Sequence, residues 1–206
     1  MKVLFLGDSI TDTGRNKNNG SLLDIGQGYA AIIAAKLSCE NPKMYEFINR
    51  GVSGNRVVDL YQRIKADFWN LKPNVCSILI GVNDVWHEIN GNGVEAERFE
   101  NVYRMLLNDT KKVLPDIKFI LIEPFVLNAC ATKDHWDMFE GEVKKRREIV
   151  KKLAEEFDTG LILLQDKFDK LADEYGAEYW LGDGVHPTIA GHQIIAEEWL
   201  DCFKNI

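Results

Sequence analysis

Short continuous runs of apolar residues recur along the chain and alternate with longer segments whose apolar residues are spaced three and four apart. The continuous runs indicate strands buried on both faces, and the spaced segments indicate amphipathic helices. The predicted strands are 3–6, 45–49, 75–80, 119–122 and 161–164. The predicted helices are 29–37, 57–71, 95–113, 142–157, 168–175 and 189–203. Glycines at 20, 26 and 28 indicate a long loop before the first helix, and residues 128–139 are predicted to be irregular and to cover part of a site.

This alternation of strand and helix predicts a parallel sheet with helices on both faces. We predict an α/β fold, a three-layer α/β/α sandwich of the flavodoxin-like type, in which five parallel strands take the order 2-1-3-4-5. Residues 1–206 are expected to form a single domain. In that order strands 1, 2 and 3 are neighbours, so loops that follow them meet at one edge of the sheet.

Composition narrows the classes of partner. The chain is 46% hydrophobic and 28% charged, as in ordinary globular proteins, and its formal charge is −7. That charge argues against nucleic acid and against an acidic membrane surface as partners. No stretch approaches the roughly 20 apolar residues of a membrane span. We therefore expect a neutral or weakly charged small-molecule or oligosaccharide substrate.

The cysteines give no sign of a metal site or a disulfide framework. Cys39, Cys76, Cys130 and Cys202 are scattered, without metal-ligand spacing. Reduced thiols and the lack of a signal-like segment before residue 3 favour a cytoplasmic protein. The sequence is compatible with a homo-oligomer. We expect no cofactor and no metal.

Polar residues follow the first three predicted strands directly. Gly7-Asp8-Ser9 follows strand 1, Gly51-Val-Ser-Gly54-Asn55 follows strand 2, and Gly81-Val-Asn83-Asp84 follows strand 3. Each block alone could be a turn or a helix cap. The two glycines after strand 2 indicate backbone that approaches something closely or takes positive φ. Asn83 offers an amide that could donate to a developing oxyanion.

The last loop contributes Asp183 and His186, three residues apart, within Gly182-Asp-Gly-Val-His-Pro-Thr. This spacing lets the carboxylate hold the imidazole through Nδ1–H and leaves Nε2 free to take a proton from a hydroxyl. Taken alone, the pair could be structural. Of the other histidines, His87 is assigned no role, and His192 is expected to pack or to hydrogen-bond near the site.

Together the four blocks resemble those of the SGNH hydrolases, the GDSL-type esterases and lipases. The resemblance spans nearly the whole chain, and Ile10 stands where leucine is usual. It implies that Ser9 is the nucleophile, His186 the base and Asp183 its orienting partner. It also implies that the oxyanion donors are the N–H groups of Ser9 and Gly54 and the side chain of Asn83.

Within that family, residues 7–12, 81–86 and 183–192 are most similar to bacterial esterases that deacetylate carbohydrates, acetylxylan esterases among them. Trp86 and Trp180 each lie three residues from a candidate site residue and could flank a sugar ring or a small acyl group, or simply pack under the loops. We assign both, with Asp8, to substrate binding, although Asp8 could instead fix the loop that exposes Ser9. The alternatives are a lysophospholipase or thioesterase, or a general short-chain carboxylesterase.

Two further hypotheses come from other functional classes. Asp8, Asp84, Asp183 and His186 could hold a divalent metal in a phosphoesterase, but this leaves Ser9 and Gly54 without roles. The chain could also be a ligand-binding domain without catalysis, because a fold alone does not determine a function.

Overall fold

Five parallel strands form the centre of the computed structural model, which describes residues 1–16 and 24–206. The strands are β1 (Lys2–Gly7), β2 (Glu46–Gly51), β3 (Val75–Leu79), β4 (Lys118–Ile122) and β5 (Gly160–Ile162). Their order is β2-β1-β3-β4-β5, and every neighbouring pair is parallel. The predicted fold class and strand order are confirmed.

Helices follow each strand and cover the sheet. They are α1 (Ser9–Asp12), α2 (Tyr29–Glu40), α3 (Val57–Gln62), α4 (Ile64–Asp67), α5 (Val82–Trp86), α6 (Ala96–Val113), α7 (Trp136–Phe157), α8 (Gln165–Tyr175), α9 (Ala177–Trp180) and α10 (Ile189–Phe203). Short 3-10 turns lie at Trp69–Leu71, His87–Asn90 and Lys133–His135. No helix in the described ranges is long and apolar enough to cross a membrane.

The alternation of side chains along β1 divides the core into two layers. Val3 and Phe5 point to one face, where they join a cluster that includes Ile33 of α2 and Trp199 of α10. Leu4 and Leu6 point to the other face, toward Leu60 of α3 and Leu106 of α6. Because both faces of the strand are buried, its sequence is a continuous apolar run.

The predicted helix 57–71 is divided into α3, α4 and a 3-10 turn. The first interruption is at Arg63, whose guanidinium donates to the carbonyl oxygens of Arg50 at 2.8 Å and Gly7 at 3.3 Å. These acceptors belong to the ends of β2 and β1, so tertiary hydrogen bonds accompany the break in a periodic pattern.

Two other helices differ from the predicted ones. α7 begins at Trp136, within the segment predicted to be irregular, because the fully buried Phe139 packs into the core. α9 was not predicted at all. The loop predicted after Ser9 begins with α1, and its residues 17–23, including the glycine at 20, lie outside the described residues.

Candidate active site

Ser9 lies at the carboxyl edge of the sheet, two residues beyond the end of β1. The preceding residue, Asp8, caps α1: its Oδ1 accepts the N–H of Ile10 at 3.0 Å. Ser9 is therefore the first residue of a short helix, with its side chain partly exposed.

The side chains of Ser9, His186 and Asp183 form a continuous hydrogen-bonded relay. Ser9 Oγ lies 2.8 Å from His186 Nε2, and His186 Nδ1 lies 2.7 Å from Asp183 Oδ2. The second oxygen of Asp183 accepts the N–H of Val185 at 2.9 Å and the N–H of His186 at 2.8 Å. Burial favours a higher pKa for Asp183, but these backbone and ring hydrogen bonds outweigh burial and lower the pKa below its usual value. The carboxylate is thus ionised and can hold the imidazole.

The loop that carries Asp183 and His186 rests on the segment after β4. The N–H of Leu127 donates to Gly184 O at 2.8 Å, and the N–H of Ala131 donates to Asp183 O at 3.0 Å. The buried hydroxyl of Thr132 accepts the N–H of Ala129 at 3.0 Å and donates to Leu127 O at 2.6 Å. This part of the predicted covering segment therefore supports the loop.

The turn after β2 brings Gly54 to the same edge, and its two glycines have different structural reasons. A side chain at Gly51 would lie 2.2 Å from the backbone nitrogen of Asp12, so α1 leaves no space there. Gly54 has φ of +81° and nothing within 4 Å of where a side chain would begin. Both reasons predicted for this turn, close approach and positive φ, are confirmed.

Asn83 is the second residue of α5 and is 7% exposed. Its Nδ2 donates to the carbonyl oxygen of Asn55 at 3.2 Å, which joins the turn after β2 to the turn after β3. An amide has two N–H donors, so the second one is available to a ligand.

Trp86 lies beside the relay, whereas Trp180 packs elsewhere. The Trp86 ring centroid is 5.9 Å from that of His186 and 5.7 Å from that of Phe139. The Trp180 indole N–H donates to Leu171 O on α8 at 3.0 Å, and its ring packs edge-on against Tyr179. These contacts favour the interpretation of Trp180 as a packing residue, and its assignment to substrate binding stays a prediction.

Asp8 is also placed differently from the assignment to substrate binding. Its side chain is 1% exposed, which leaves little surface for a substrate to contact. Burial raises the pKa of Asp8 to about 7, although the hydrogen bond from Ile10 opposes the shift. The structure therefore favours the other expectation, that Asp8 fixes the loop that exposes Ser9.

His192 lies beneath the site, on α10. Its Nδ1 accepts the N–H of Tyr29 at 3.2 Å, and burial, helped by the nearby His186, lowers the pKa of His192 to about 4. The ring is therefore neutral near pH 7. Its predicted role as a packed, hydrogen-bonded histidine is confirmed.

Three residues without a predicted supporting role hold the turns of the site together. Asp12 Oδ2 accepts both the N–H and the hydroxyl of Ser53 at 3.1 Å, and Asn55 presents its carbonyl to Asn83. Asp84 binds the start of α3 and was considered only as a metal ligand. The available signal was the presence of carboxylates and amides inside glycine-containing turns, where such side chains commonly bond backbone N–H groups.

The arrangement can transfer a proton from the Ser9 hydroxyl to His186. The four side chains of the metal hypothesis do not meet: among residues 1–16 and 24–206, no group of three His, Cys, Asp or Glu side chains is placed to hold a metal ion. Asp183 instead binds His186, and Asp84 binds α3.

Comparisons with known proteins found relatives of this chain. The model of the GDSL-like lipase/acylhydrolase family matches residues 5–194. An acetylxylan esterase of Geobacillus stearothermophilus is 33% identical over 207 residues, which cover 97% of this chain and 92% of that protein. Its solved structure has a TM-score of 0.86 at 32% identity and covers 98% of this chain and 93% of that one.

A second solved structure is a protein of Parabacteroides merdae assigned to the GDSL-like lipases. It has a TM-score of 0.93 at 37% identity and covers 98% of this chain and 95% of that chain. The acetylxylan esterase has also been solved as catalytic mutants, in which a serine or an aspartate is replaced by alanine. These residue types match the two ends of the relay described above.

Proposed function

This chain belongs to the GDSL-like lipase/acylhydrolase family. We propose that it removes acetyl groups from carbohydrates through an acyl-enzyme on Ser9. It is a carboxylic ester hydrolase. The observation that carries the proposal is the relay from Ser9 through His186 to Asp183, with distances of 2.8 and 2.7 Å. The similarity to an acetylxylan esterase over 97% of the chain supports the substrate class.

In the first step, Ser9 Oγ attacks the ester carbonyl carbon while His186 Nε2 takes the hydroxyl proton. Asp183 holds the imidazole in the tautomer that leaves Nε2 free, and it stabilises the imidazolium that forms. The imidazolium then gives its proton to the leaving sugar oxygen, and the acetyl group stays on Ser9.

The negative charge that develops on the carbonyl oxygen is stabilised by three donors. They are the N–H groups of Ser9 and Gly54 and the second N–H of Asn83. Because Asn83 is fixed by Asn55 before substrate arrives, its amide needs no reorganisation during the reaction.

In the second step, His186 takes a proton from water, and the hydroxide attacks the acetyl-enzyme. The same donors stabilise the second tetrahedral intermediate, and acetate leaves as Ser9 recovers its proton. These steps need no metal or cofactor.

Trp86, beside His186, is the candidate wall for a sugar ring or the acetyl group. The single domain, the cytoplasmic location and a homo-oligomer stay predictions.

The test is hydrolysis of acetyl, butyryl and octanoyl esters compared with acetylated xylo-oligosaccharides. We expect the acetylated sugars and the short esters to be hydrolysed, and Ser9→Ala to lose on the order of 10⁴-fold or more in kcat while it stays folded. The matched control is Ser38→Ala on the exposed face of α2, which keeps full activity. A preference for octanoyl esters would contradict the substrate class, and an active Ser9→Ala would contradict the mechanism.

A further inference from the structure

Two buried carboxyl groups contact the turns that carry the oxyanion donors. Asp8 and Asp84 are each 1% exposed. Asp8 Oδ1 accepts the N–H of Ile10 at 3.0 Å, and the backbone carbonyl of Asp8 accepts the N–H of Asp12 at 2.8 Å. The Asp8 side chain thereby caps the start of α1, the short helix whose first residue is Ser9. The direction of the Ser9 N–H depends on that turn.

Asp84 joins the other two donors. It follows Asn83 in α5, and its Oδ1 and Oδ2 lie 3.0 and 3.3 Å from the backbone nitrogen of Val57. Val57 is the first residue of α3 and comes three residues after Gly54. One side chain thus connects the turn after β3, which presents the Asn83 amide, to the turn after β2, which presents the Gly54 N–H.

The two carboxyl groups also influence each other. Asp8 and Asp84 interact electrostatically with each other. Asp8 also interacts with His186 and Tyr29. Asp84 also interacts with Arg146 and Arg56. Burial raises the pKa of each carboxyl to about 7, so both exchange protons near neutral pH. Since a neutral carboxyl still accepts through its carbonyl oxygen, the backbone N–H groups need an acceptor at these positions more than they need a charge.

We propose that Asp8 and Asp84 are positioning residues, which set the three oxyanion donors relative to one another through the N–H groups of Ile10 and Val57. The inference rests on the proposed function, because it assigns a support to that oxyanion hole. Neither side chain touches the substrate.

The experiment measures how fast a fluorophosphonate labels Ser9, by intact-protein mass spectrometry. This probe needs the nucleophile and the oxyanion donors but no sugar. If the wild-type chain reacts with the probe but leaves acetylated sugars intact, the proposed substrate class is wrong. The labelling rates of the variants still test the roles of Asp8 and Asp84 in that case.

We expect Asp84→Ala to slow labelling by about 10- to 100-fold, less than the loss of a donor itself. Asp84→Asn keeps an acceptor for Val57 and is expected to stay within about threefold of wild type. Asp8→Ala and Asp8→Asn should behave in the same way, because asparagine is as good a helix cap as aspartate. With an ester substrate, Asp84→Ala lowers kcat and changes KM less than about twofold, since the donors act in the transition state.

A second route to the same contact removes the donor. Val57→Pro deletes the N–H at the first position of α3, where proline is tolerated, and Arg56 already has the extended φ of −106° and ψ of 173° that precede proline. Val57→Pro should slow labelling like Asp84→Ala, and the double variant should be no slower than either single variant. This route serves equally if Asp84→Ala does not fold.

The matched control is Asp59→Ala. Asp59 also caps the start of α3, with Oδ2 accepting the N–H of Arg56 at 2.8 Å, but it bonds no residue of α1 or α5 in the hydrogen bonds of the described chain. We expect it to stay within about twofold of wild type. Equal slowing by Asp59→Ala and Asp84→Ala, independent losses in the double variant, or a wild-type chain that does not react with the probe would each overturn the proposal.

Discussion

The two halves of the site differ in burial: the residues that support the turns of the serine half are buried, whereas His186 and Asp183 in the histidine half are partly exposed. Asp8, which precedes Ser9, and Asn83 and Asp84, in the turn after β3, are 1%, 7% and 1% exposed. The His186 and Asp183 side chains are 44% and 31% exposed. The first half is built from turns that end β1, β2 and β3, and the second from a loop held to residues 127–132 by backbone hydrogen bonds. Substitutions should therefore cost activity alone in the exposed half, and activity together with stability in the buried half.

The largest effect that separates the halves is expected from Asp183→Asn. The asparagine oxygen should keep the two backbone N–H bonds of Asp183 Oδ1, which turns the NH2 group toward His186 Nδ1 and favours the wrong imidazole tautomer. The neutral amide also cannot stabilise the imidazolium, so kcat should fall by on the order of 10⁴-fold. Because the side chain is one-third exposed, the urea midpoint should change little. The matched control is Asp201→Asn on the exposed surface of α10, with both properties unchanged. A large loss of stability in Asp183→Asn would erase the contrast.

In the buried half, Asn83→Ala should lower kcat by about 100- to 1000-fold, because one oxyanion donor is removed. It should also lower the free energy of unfolding by about 1 kcal/mol, because the carbonyl of Asn55 loses its donor. Kinetics and urea unfolding measure the two effects. Asn74→Ala, at the other end of β3, is the matched control: it removes a hydrogen bond from the Lys2 N–H and should leave kcat at the wild-type value. An unchanged kcat for Asn83→Ala would remove this residue from the site.

The smallest expected effect is on the pH dependence of the free energy of unfolding. The buried side chains of Asp8 and His192 change this dependence in opposite directions. The folded pKa of Asp8 is raised to about 7 from 3.8, so folding keeps a proton there, and stability falls as pH rises through that window. The folded pKa of His192 is lowered to about 4 from 6.5, so the unfolded chain binds the extra proton, and stability rises with pH.

Urea unfolding at pH 5 and pH 6 measures both slopes. Relative to wild type, Asp8→Asn should gain up to about 1.4 kcal/mol over this unit, and His192→Gln should lose up to about the same amount. Parallel slopes for wild type and both variants would mean that neither group is buried in the state that unfolds.

β1, β3 and β4 could be predicted because their sequences are largely apolar and nearly all of their residues are buried. The strand order could be predicted because it is the common doubly wound arrangement of five parallel strands. Because β2, β1 and β3 are neighbours in this order, the turns that follow them lie at the same edge of the sheet. These turns carry Gly54, Ser9 and Asn83. The break at Arg63 could not be predicted, because its acceptors are carbonyl groups of β1 and β2, far away in sequence. The early start of α7 depends on the burial of Phe139, which local pattern does not show.

Within the site, the residues with chemistry could be predicted better than the residues that support them. Trp180 has the same spacing from Asp183 as Trp86 has from Asn83, yet only Trp86 faces His186. Sequence spacing does not say which face of the loop a ring takes. The positions of Asp8 and Asp84 depend likewise on burial, a tertiary property.

The turn after β2 also limits how the sequence can vary without losing the fold. At position 51 even one methyl group would meet the backbone of α1 at 2.2 Å, so a library that randomises this codon should return glycine alone. At position 54 there is room, and φ of +81° is the only obstacle to folding. Asparagine and aspartate, which tolerate positive φ better than other side chains, should therefore pass a screen for folding there. A selection for folding should thus return glycine alone at position 51 but glycine, asparagine and aspartate at position 54.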